Sequence, residues 1–353
     1  IMASLSDVAK AAGVSVTTAS FVLNGHAMDK RISPQTAQRV LNAVRELGYV
    51  PNVAARKLTS PADRSTVIPD IAVMWSPALH NSFMASFITN AQQLFEQKVV
   101  PEMRITIAPY ALGHIRNTRD SLLNRHFNGA VFSPSYQEDL AFINDFALRI
   151  PLIVLHMQTE LHSSVVVDNY CTGKTVADVF AAKGHTAAAI LYYSHVGTTS
   201  VRDLRYDGFR DACQSHGLRF EGVEIPLNKR GNIAERAGFG RQQALTYLEA
   251  GTLPEAVFIQ DDAVASGFAV ALLTAGVRVP RDIEIITYGN DDLACAFHPA
   301  ITTMDYPAAA ITRESLKLLS QQISDPYASP RHISVLPEVT FRDSCPRPEN
   351  WKS

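Results

Sequence analysis

Two textures of hydrophobic patterning divide the chain. From Leu5 to Leu47 apolar residues return every three or four positions, the spacing of short helices with one buried stripe. From Asp70 onward they gather into short unbroken runs, the mark of strands buried on both faces. In the first part, Ser4 with Asp7 three residues on opens a helix through Ala12, which Gly13 closes. Ser15 caps a second helix from Val16 to about Asn24, and so tight a joint marks a helix-turn-helix. Ser33 and Pro34 begin a third, whose Ala37, Val40, Leu41, Val44 and Leu47 form an apolar stripe before Gly48. With Val8, Ala9, Val14, Ala19, Val22 and Leu23 this stripe closes a three-helix core, small enough to be only marginally stable alone.

After Pro51, residues 52–58 (NVAARKL) are good helix formers in a segment too short to hold a helix in water without a partner. Residues 59–69 (TSPADRSTVIP) have the composition of a linker. Beyond it the runs IAVMW, RITIA, GAVFS, PLIVL, SVVVD, AAAILY, AVFIQ and IEIITY alternate with helical stretches. That alternation predicts parallel sheet covered by helices on both sides, and the number of runs predicts two doubly wound subdomains with a cleft between them. Ligands of such sheets sit beyond the carboxyl ends of the strands. The residues that follow the runs, among them Ser76, Ser133, His156, Asp168, Asp261 and Asn290, are therefore the candidates for a binding site.

Composition narrows the class. The chain has 353 residues, of which 46% are hydrophobic and 19% charged, with no apolar run of the length a membrane span needs. The start lacks the basic segment and apolar core of a secretory signal. Cys171, Cys213, Cys295 and Cys345 lie far apart, a spacing that fits neither a zinc site nor a disulfide framework and suits a reducing cytoplasm. The net charge of -2 conceals an asymmetry. Through Ser60 there are seven basic residues against three acidic ones, so a head with four excess positive charges precedes a body with six excess negative ones. A polyanion is the partner such a head suits.

Catalytic motifs fail on inspection. TGKT at 172–175 ends like a phosphate-binding loop, but the first glycine of that loop would fall on Asp168, whose charge repels phosphate. GFG at 238–240 lacks the third glycine of a dinucleotide fingerprint, since Gln243 stands there. The eleven histidines show no metal-ligand spacing, and no G-x-S-x-G elbow occurs. Asp261–Asp262 and Asp291–Asp292 read as a carboxylate pair for acid-base chemistry or, better, as a ligand contact beside a helix N-cap. No catalytic residue, metal or cofactor is expected.

The stretches LSDVAKAAGVSVTTASFVLNG and RISPQTAQRVLNAVRELGYVPNVAARKL, followed by HNSF (80–83), VVVDN (165–169), RYDGF (205–209), QDDAVASG (260–267) and HPAITTMDY (298–306), resemble the lactose- and galactose-repressor (LacI/GalR) family in composition and order, over nearly the whole chain. The resemblance implies a small all-α helix-turn-helix head and an α/β body of two doubly wound subdomains similar to periplasmic binding proteins. Residues 1–60 would form the DNA-binding domain with its hinge helix at 52–58, residues 61–69 the linker, and residues 70–345 the effector domain, before a tail at 346–353. Its subdomains would be 70–168 with 304–332, and 169–303 with 333–345. A homodimer would place two recognition helices in successive major grooves of a pseudo-palindromic double-stranded operator. Paired hinge helices would then enter the minor groove, with Leu58 as the wedge that kinks a base step. The implied DNA contacts are Ser15, Val16, Thr17, Thr18, Phe21, Asn24, Tyr49, Asn52, Ala55 and Leu58.

Phe21 departs from the family, which usually offers a polar or basic side chain there. Two roles fit it: contact with a thymine methyl, or packing on the enlarged loop GHAMDKR at 25–31. For the effector the resemblance implies Arg205 as the ligand-gripping arginine, with Ser133 and Asp261 as further polar contacts. Ser76, His156 and Asn290 at strand ends and Phe83 as an apolar wall complete the candidate site. His156 stands where relatives often carry aspartate, and Gly289 occupies the place of another, with Asn290 beside it. Trp75 suits either an apolar wall or the core. A small polar polyol, a sugar or a nucleoside, is the expected effector. The tail RDSCPRPENWKS has no apolar heptads, so a dimer rather than a tetramer is expected. The rival classes are a transporter's solute-binding protein and a sugar- or nucleotide-processing enzyme. The basic head speaks against the first, and the lack of metal or phosphate motifs against the second.

Overall fold

The computed structural model describes residues 5–23, 30, 32–47, 68–76, 81–111, 114–115, 127–134, 137–145, 150–193, 204–226, 232–289, 292–325 and 328–351. The chain divides into two compact units, Ile1–Ile68 and Pro69–Ser353. Among the described residues, no helix is long and apolar enough to cross a membrane.

The first unit holds α1 (Leu5–Ala12), α2 (Val16–Leu23) and α3 (Pro34–Leu47). Gly13, at φ +65°, ends α1. Its N–H donates to the Lys10 carbonyl and that of Val14 to the Ala9 carbonyl, a closure that needs a left-handed residue at this point. Ser15 Oγ then accepts from the Thr18 N–H at 3.0 Å, and Ser33 Oγ from the Thr36 N–H at 3.2 Å, so both hydroxyls cap the helices that follow them. Val8, Ala9, Ala12, Ala19, Val22, Val40 and Ala43 form the core, with Ala37 and Val44 packed on it. Two residues of the expected stripe lie elsewhere. Leu41 and Leu47 are 38% and 40% exposed, and Ala43 takes the buried place on α3.

The second unit runs β1 (Asp70–Trp75), α4 (Asn81–Glu96), β2 (Arg104–Pro109), β3 (Gly129–Phe132), α5 (Gln137–Asp145), β4 (Leu152–Leu155), β5 (Ser163–Val167), α6 (Asn169–Ala182), β6 (Ala187–Tyr192), α7 (Leu204–His216), β7 (Arg219–Glu224), α8 (Ile233–Ala250), β8 (Ala256–Ile259), α9 (Asp262–Thr274), β9 (Glu284–Gly289), α10 (Asp292–Ala296), β10 (Thr302–Asp305), α11 (Ala308–Ser324), β11 (His332–Val335) and β12 (Val339–Thr340). Two six-stranded sheets result, ordered β11-β5-β4-β3-β1-β2 and β12-β10-β9-β8-β6-β7. All pairings are parallel except that of β12 with β10. Each sheet repeats one winding, in which the second strand lies outside the first and the next three follow on the other side. The winding reverses beside β1 and β6, the place where open sheets of this kind take ligands.

The apolar runs are continuous because both faces are covered. Ile71, Val73 and Trp75 enter one core with Phe83 and Phe87 of α4 and Leu316 of α11. Ala72 and Met74 enter the opposite one with Phe132 and Ile143. The second sheet does the same: Leu191, Ile259 and Ile285 pack toward α9, while Ile190, Phe258 and Ile286 pack toward α6 and α7. β7 belongs to no such run, because as an edge strand it keeps only one flank paired and much of it stays exposed. The chain returns to the first sheet through α11, which lies against β3, β4 and β5. The subdomain bounds read from the sequence need correction here. Met304 and Asp305 remain in the second sheet through β10, and 333–335 pair with β5 in the first.

TGKT and GFG have structural roles. A Cβ on Gly173 would stand 1.8 Å from the Arg205 carbonyl oxygen, and one on Gly208 would stand 2.0 Å from that of Tyr170, so α6 and α7 touch backbone to backbone. Gly240 and Gly267 do the same for α8 and α9, each at 1.9 Å from a partner carbonyl.

Candidate functional site

The carboxyl ends of the two sheets carry a connected set of polar and aromatic groups. On the first sheet, Tyr110 donates its hydroxyl to the Ser133 carbonyl at 2.8 Å, and Ser133 Oγ lies 3.0 Å from His156 Nδ1. His156 adopts φ +66°, an uncommon conformation for a residue with a side chain, while its N–H donates to the Val165 carbonyl. Its Nε2 forms a short hydrogen bond with the hydroxyl of Tyr306, which follows β10 of the second sheet. Burial, helped by Tyr288, pushes the Tyr306 phenol well above its usual range, so it stays protonated. With Tyr306 as donor to Nε2, a neutral His156 carries its proton on Nδ1 and donates to Ser133 Oγ. The Ser133 hydroxyl proton is then available for a third group.

Rings continue the connection. Phe83 meets His156 and Tyr306 edge-on at 5.5 and 5.3 Å and lies 5.0 Å from Trp75. Both Phe83 and Trp75 are buried in the first core, and among the described residues the buried Trp75 Nε1 meets no hydrogen-bond acceptor. Tyr306 stands perpendicular to Tyr288 at 6.4 Å, and the Arg205 guanidinium lies 4.1 Å from the Tyr288 ring centre. Burial raises the Tyr288 phenol, opposed in part by Arg205. Arg205 sits in the first turn of α7, the helix whose close approach to α6 depends on Gly173 and Gly208.

Asp261 is a support rather than an open contact. It caps α9, its Oδ1 accepting from the N–H groups of Ala263 and Val264 at 2.9 and 3.0 Å. Its Oδ2 accepts from Arg236 Nη1 at 2.7 Å and from the Tyr193 hydroxyl at 3.1 Å. A carboxylate offers about four lone-pair positions, so these bonds fill it. The N-cap expected of the aspartate pair is present, and Arg236 takes the place of the ligand. Gly289, at φ +149°, also has a local cause: a Cβ there would stand 2.3 Å from Asp262 Oδ2. Ser76 is buried at the end of β1, and Asp168 caps α6 through the Cys171 N–H. Asn290 lies outside the described residues.

The structure thus joins Ser133, His156 and Phe83 through Tyr306 and Tyr288 to Arg205, and places Asp261 behind Arg236. Tyr306, Tyr288, Tyr193 and Arg236 were missed as candidates. The first two end stretches already singled out, HPAITTMDY and IEIITY, and adjacency to a strand end was the signal available for them. Arg236, in the first turn of α8, carried no such signal. On the head, Ser15 and Thr18 are engaged at the start of α2, Val16 and Thr17 are exposed, and Phe21 is half-buried. Asn24, Tyr49, Asn52, Ala55 and Leu58 lie outside the described residues. Among the described residues no group of histidine, cysteine and carboxylate side chains is placed to hold a metal ion.

A helix-turn-helix unit joined to a body of two parallel sheets is the build of a ligand-responsive DNA-binding regulator. Residues 4–52 match the bacterial regulatory proteins of the lacI family, and residues 177–345 match the periplasmic binding protein-like domain. The head is thus a lacI-family helix-turn-helix domain and the body a periplasmic binding protein-like domain, and the homologues of the chain are lacI-type transcription repressors, which are not enzymes. It is 26% identical to the ribose operon repressor of Haemophilus influenzae, covering 97% of this chain and 98% of that protein. Identity to the transcriptional repressor PurR of Pasteurella multocida is 27%, with the same coverage. Among solved structures, the lac repressor dimer bound to operator and the anti-inducer ONPF is similar with a TM-score of 0.65 and 21% identity, covering 98% of this chain and all of that one.

Proposed function

We propose that the protein is a cytoplasmic, homodimeric repressor that binds a pseudo-palindromic operator and changes its operator affinity when a small polyol, a sugar or a nucleoside, binds between the carboxyl ends of its two sheets. The observation that carries this reading is the connection from Ser133 and His156 to Arg205 through Tyr306 and Tyr288, which spans both sheets. A ligand placed there touches both halves, so it binds one relative arrangement of them better than another and shifts the balance between them. The polar groups along this connection are mostly donors: the Trp75 indole, the Ser133 hydroxyl and the guanidinium of Arg205. Aromatic rings beside them suit the flat faces of a sugar or base. Hinge residues 52–58, with Leu58 as a minor-groove wedge, would carry the signal to the DNA.

Two measurements test the reading. Thermal shift of the full chain against sugars, nucleosides and purines finds the effector, because a ligand at a hundred times its Kd adds about 2.7 kcal/mol of stability. Each compound that raises the melting temperature is then added to the chain bound to a duplex selected from a random library. A change of tenfold or more in duplex affinity is expected. Stabilising compounds that leave that affinity untouched would favour the solute-binding reading of the body.

A further inference from the structure

The helix expected to enter the major groove carries no charge. α2, Val16–Leu23, reads VTTASFVL. Ala19 and Val22 turn into the core, which leaves Thr17 and Phe21, four residues apart, on the outward stripe. A ring on the reading face of a helix that must approach a polyanion provides neither a hydrogen bond nor a charge. The structure supplies the missing charge from elsewhere in the chain. Lys30, from the segment that leads into α3, holds its Nζ 5.2 Å from the centre of the Phe21 ring. An ammonium at that distance is attracted to the negative face of the ring, and the interaction restrains a side chain that would otherwise sample many rotamers. Lys30 is itself exposed, so its charge remains open to a second partner.

We propose that Lys30 contacts a backbone phosphate of the operator and that Phe21 is its positioning residue, the pair doing together what a basic residue within α2 would do alone. A phosphate is the partner the geometry favours over a base edge. Lysine presents a single compact charge on a flexible stem, and contact with one ring face does not fix the orientation that base reading requires. The pairing also gives Lys30 a function that neither the composition of α2 nor the apolar core of the head requires. The inference rests on the DNA-binding reading of the head and is independent of the effector.

The test uses the full-length protein and the duplex selected by the wild-type chain, with a random duplex of equal length beside it. Binding is measured by fluorescence anisotropy from 50 to 200 mM salt. Removing one phosphate contact lowers the slope of log affinity against log salt by about 0.9, so the ratio of wild-type to Lys30→Ala affinity should fall about 3.5-fold across that range. The loss should be similar on both duplexes. Phe21→Leu, which keeps an apolar side chain but removes the ring face, should weaken binding in the wild-type background and have little further effect when Lys30 is already alanine. An unchanged salt slope in Lys30→Ala overturns the phosphate contact, and so does a loss confined to the selected duplex, which would assign the lysine to a base edge. Fully additive losses overturn the positioning role of Phe21. If no duplex is bound by the wild type at any salt, the DNA-binding reading itself has failed, and that outcome is separate from either of these.

Discussion

Gly238 and Gly240 lie two residues apart in α8, and the same substitution at each should move stability in opposite directions. A Cβ on Gly240 would stand 1.9 Å from the Val264 carbonyl oxygen and 3.0 Å from the Phe268 nitrogen, both backbone atoms of α9. Ordinary contact begins near 3.4 Å, so the two helices would have to part by about 1.5 Å. Overpacking of a well-filled contact costs about 1 to 3 kcal/mol, and a clash with backbone that cannot rotate away belongs at the upper end. For a unit of this size, about 3 kcal/mol corresponds to roughly 6 to 12 °C of melting temperature. Among the described residues Gly238 has nothing within 4 Å of the same added atom. Its replacement by alanine only removes backbone freedom from the unfolded chain, which stabilises a helix interior by about 0.5 to 1 kcal/mol.

Calorimetry of the full chain, read on the transition of the larger unit, should therefore show Gly240→Ala melting several degrees below wild type and Gly238→Ala slightly above it. Function should follow the same division. α8 carries Arg236 in its first turn and α9 is capped by Asp261, so parting the helices pulls on their 2.7 Å ion pair. Gly240→Ala should also lose effector affinity, and Gly238→Ala should keep it. A Gly240→Ala protein as stable as wild type, or a Gly238→Ala protein that loses several degrees, would refute the backbone contact between these helices.

Arg205→Ala should cost at least tenfold in effector affinity by calorimetry, since hydrogen bonds to a charged group contribute about 1.5 to 3 kcal/mol each. Affinity for the selected duplex without effector should stay near wild type, and a folded mutant that loses it would contradict the placement of Arg205. Glu284, at the start of β9, sits in a buried group with Lys183 at 2.8 Å, His185 at 2.9 Å and Cys345 Sγ at 3.3 Å. Burial alone would raise its pKa, but the bonds from His185, Lys183 and Cys345 outweigh burial and hold it below the usual 4.5. Its contribution is thus present above the unfolded carboxyl pKa and lost as pH falls through the folded one. Melting temperature followed below pH 5 should fall less steeply in Glu284→Gln than in wild type, and parallel curves would count against the assignment.

The body's strands were legible wherever a run is buried on both faces. β3, β4 and β8 are four-residue strands with every side chain buried, and no surface requirement interrupts their apolar letters. β7 could not be read in that way. Its sequence RFEGVE leaves four of six residues exposed, because an edge strand lends only part of each face to the core. On α3 the period was right and the stripe too broad, since Leu41 fits the helical repeat and is still exposed, while the smaller Ala43 is buried. Small residues give weak hydropathy signals whatever their burial.

The site was half legible for a related reason. Ser133, His156 and Asp261 follow apolar runs directly, so a rule about strand ends finds them one at a time. What each touches depends on where distant segments return. Tyr306 reaches His156 across 150 positions because β10 stays in the second sheet while α11 goes back to the first. No periodicity in either segment encodes that meeting. The same holds for Asp261, whose letters announce an acidic N-cap but not that Arg236 and Tyr193 fill its other oxygen. Local sequence therefore identifies the groups at the rim of each sheet, whereas the chemistry they offer, donor or acceptor, open or saturated, is set by the three passages of the chain between the sheets. A substitution at Tyr306 or Arg236 should for this reason change effector selectivity more than its position in the sequence suggests, because each alters the state of a neighbour that the ligand meets first.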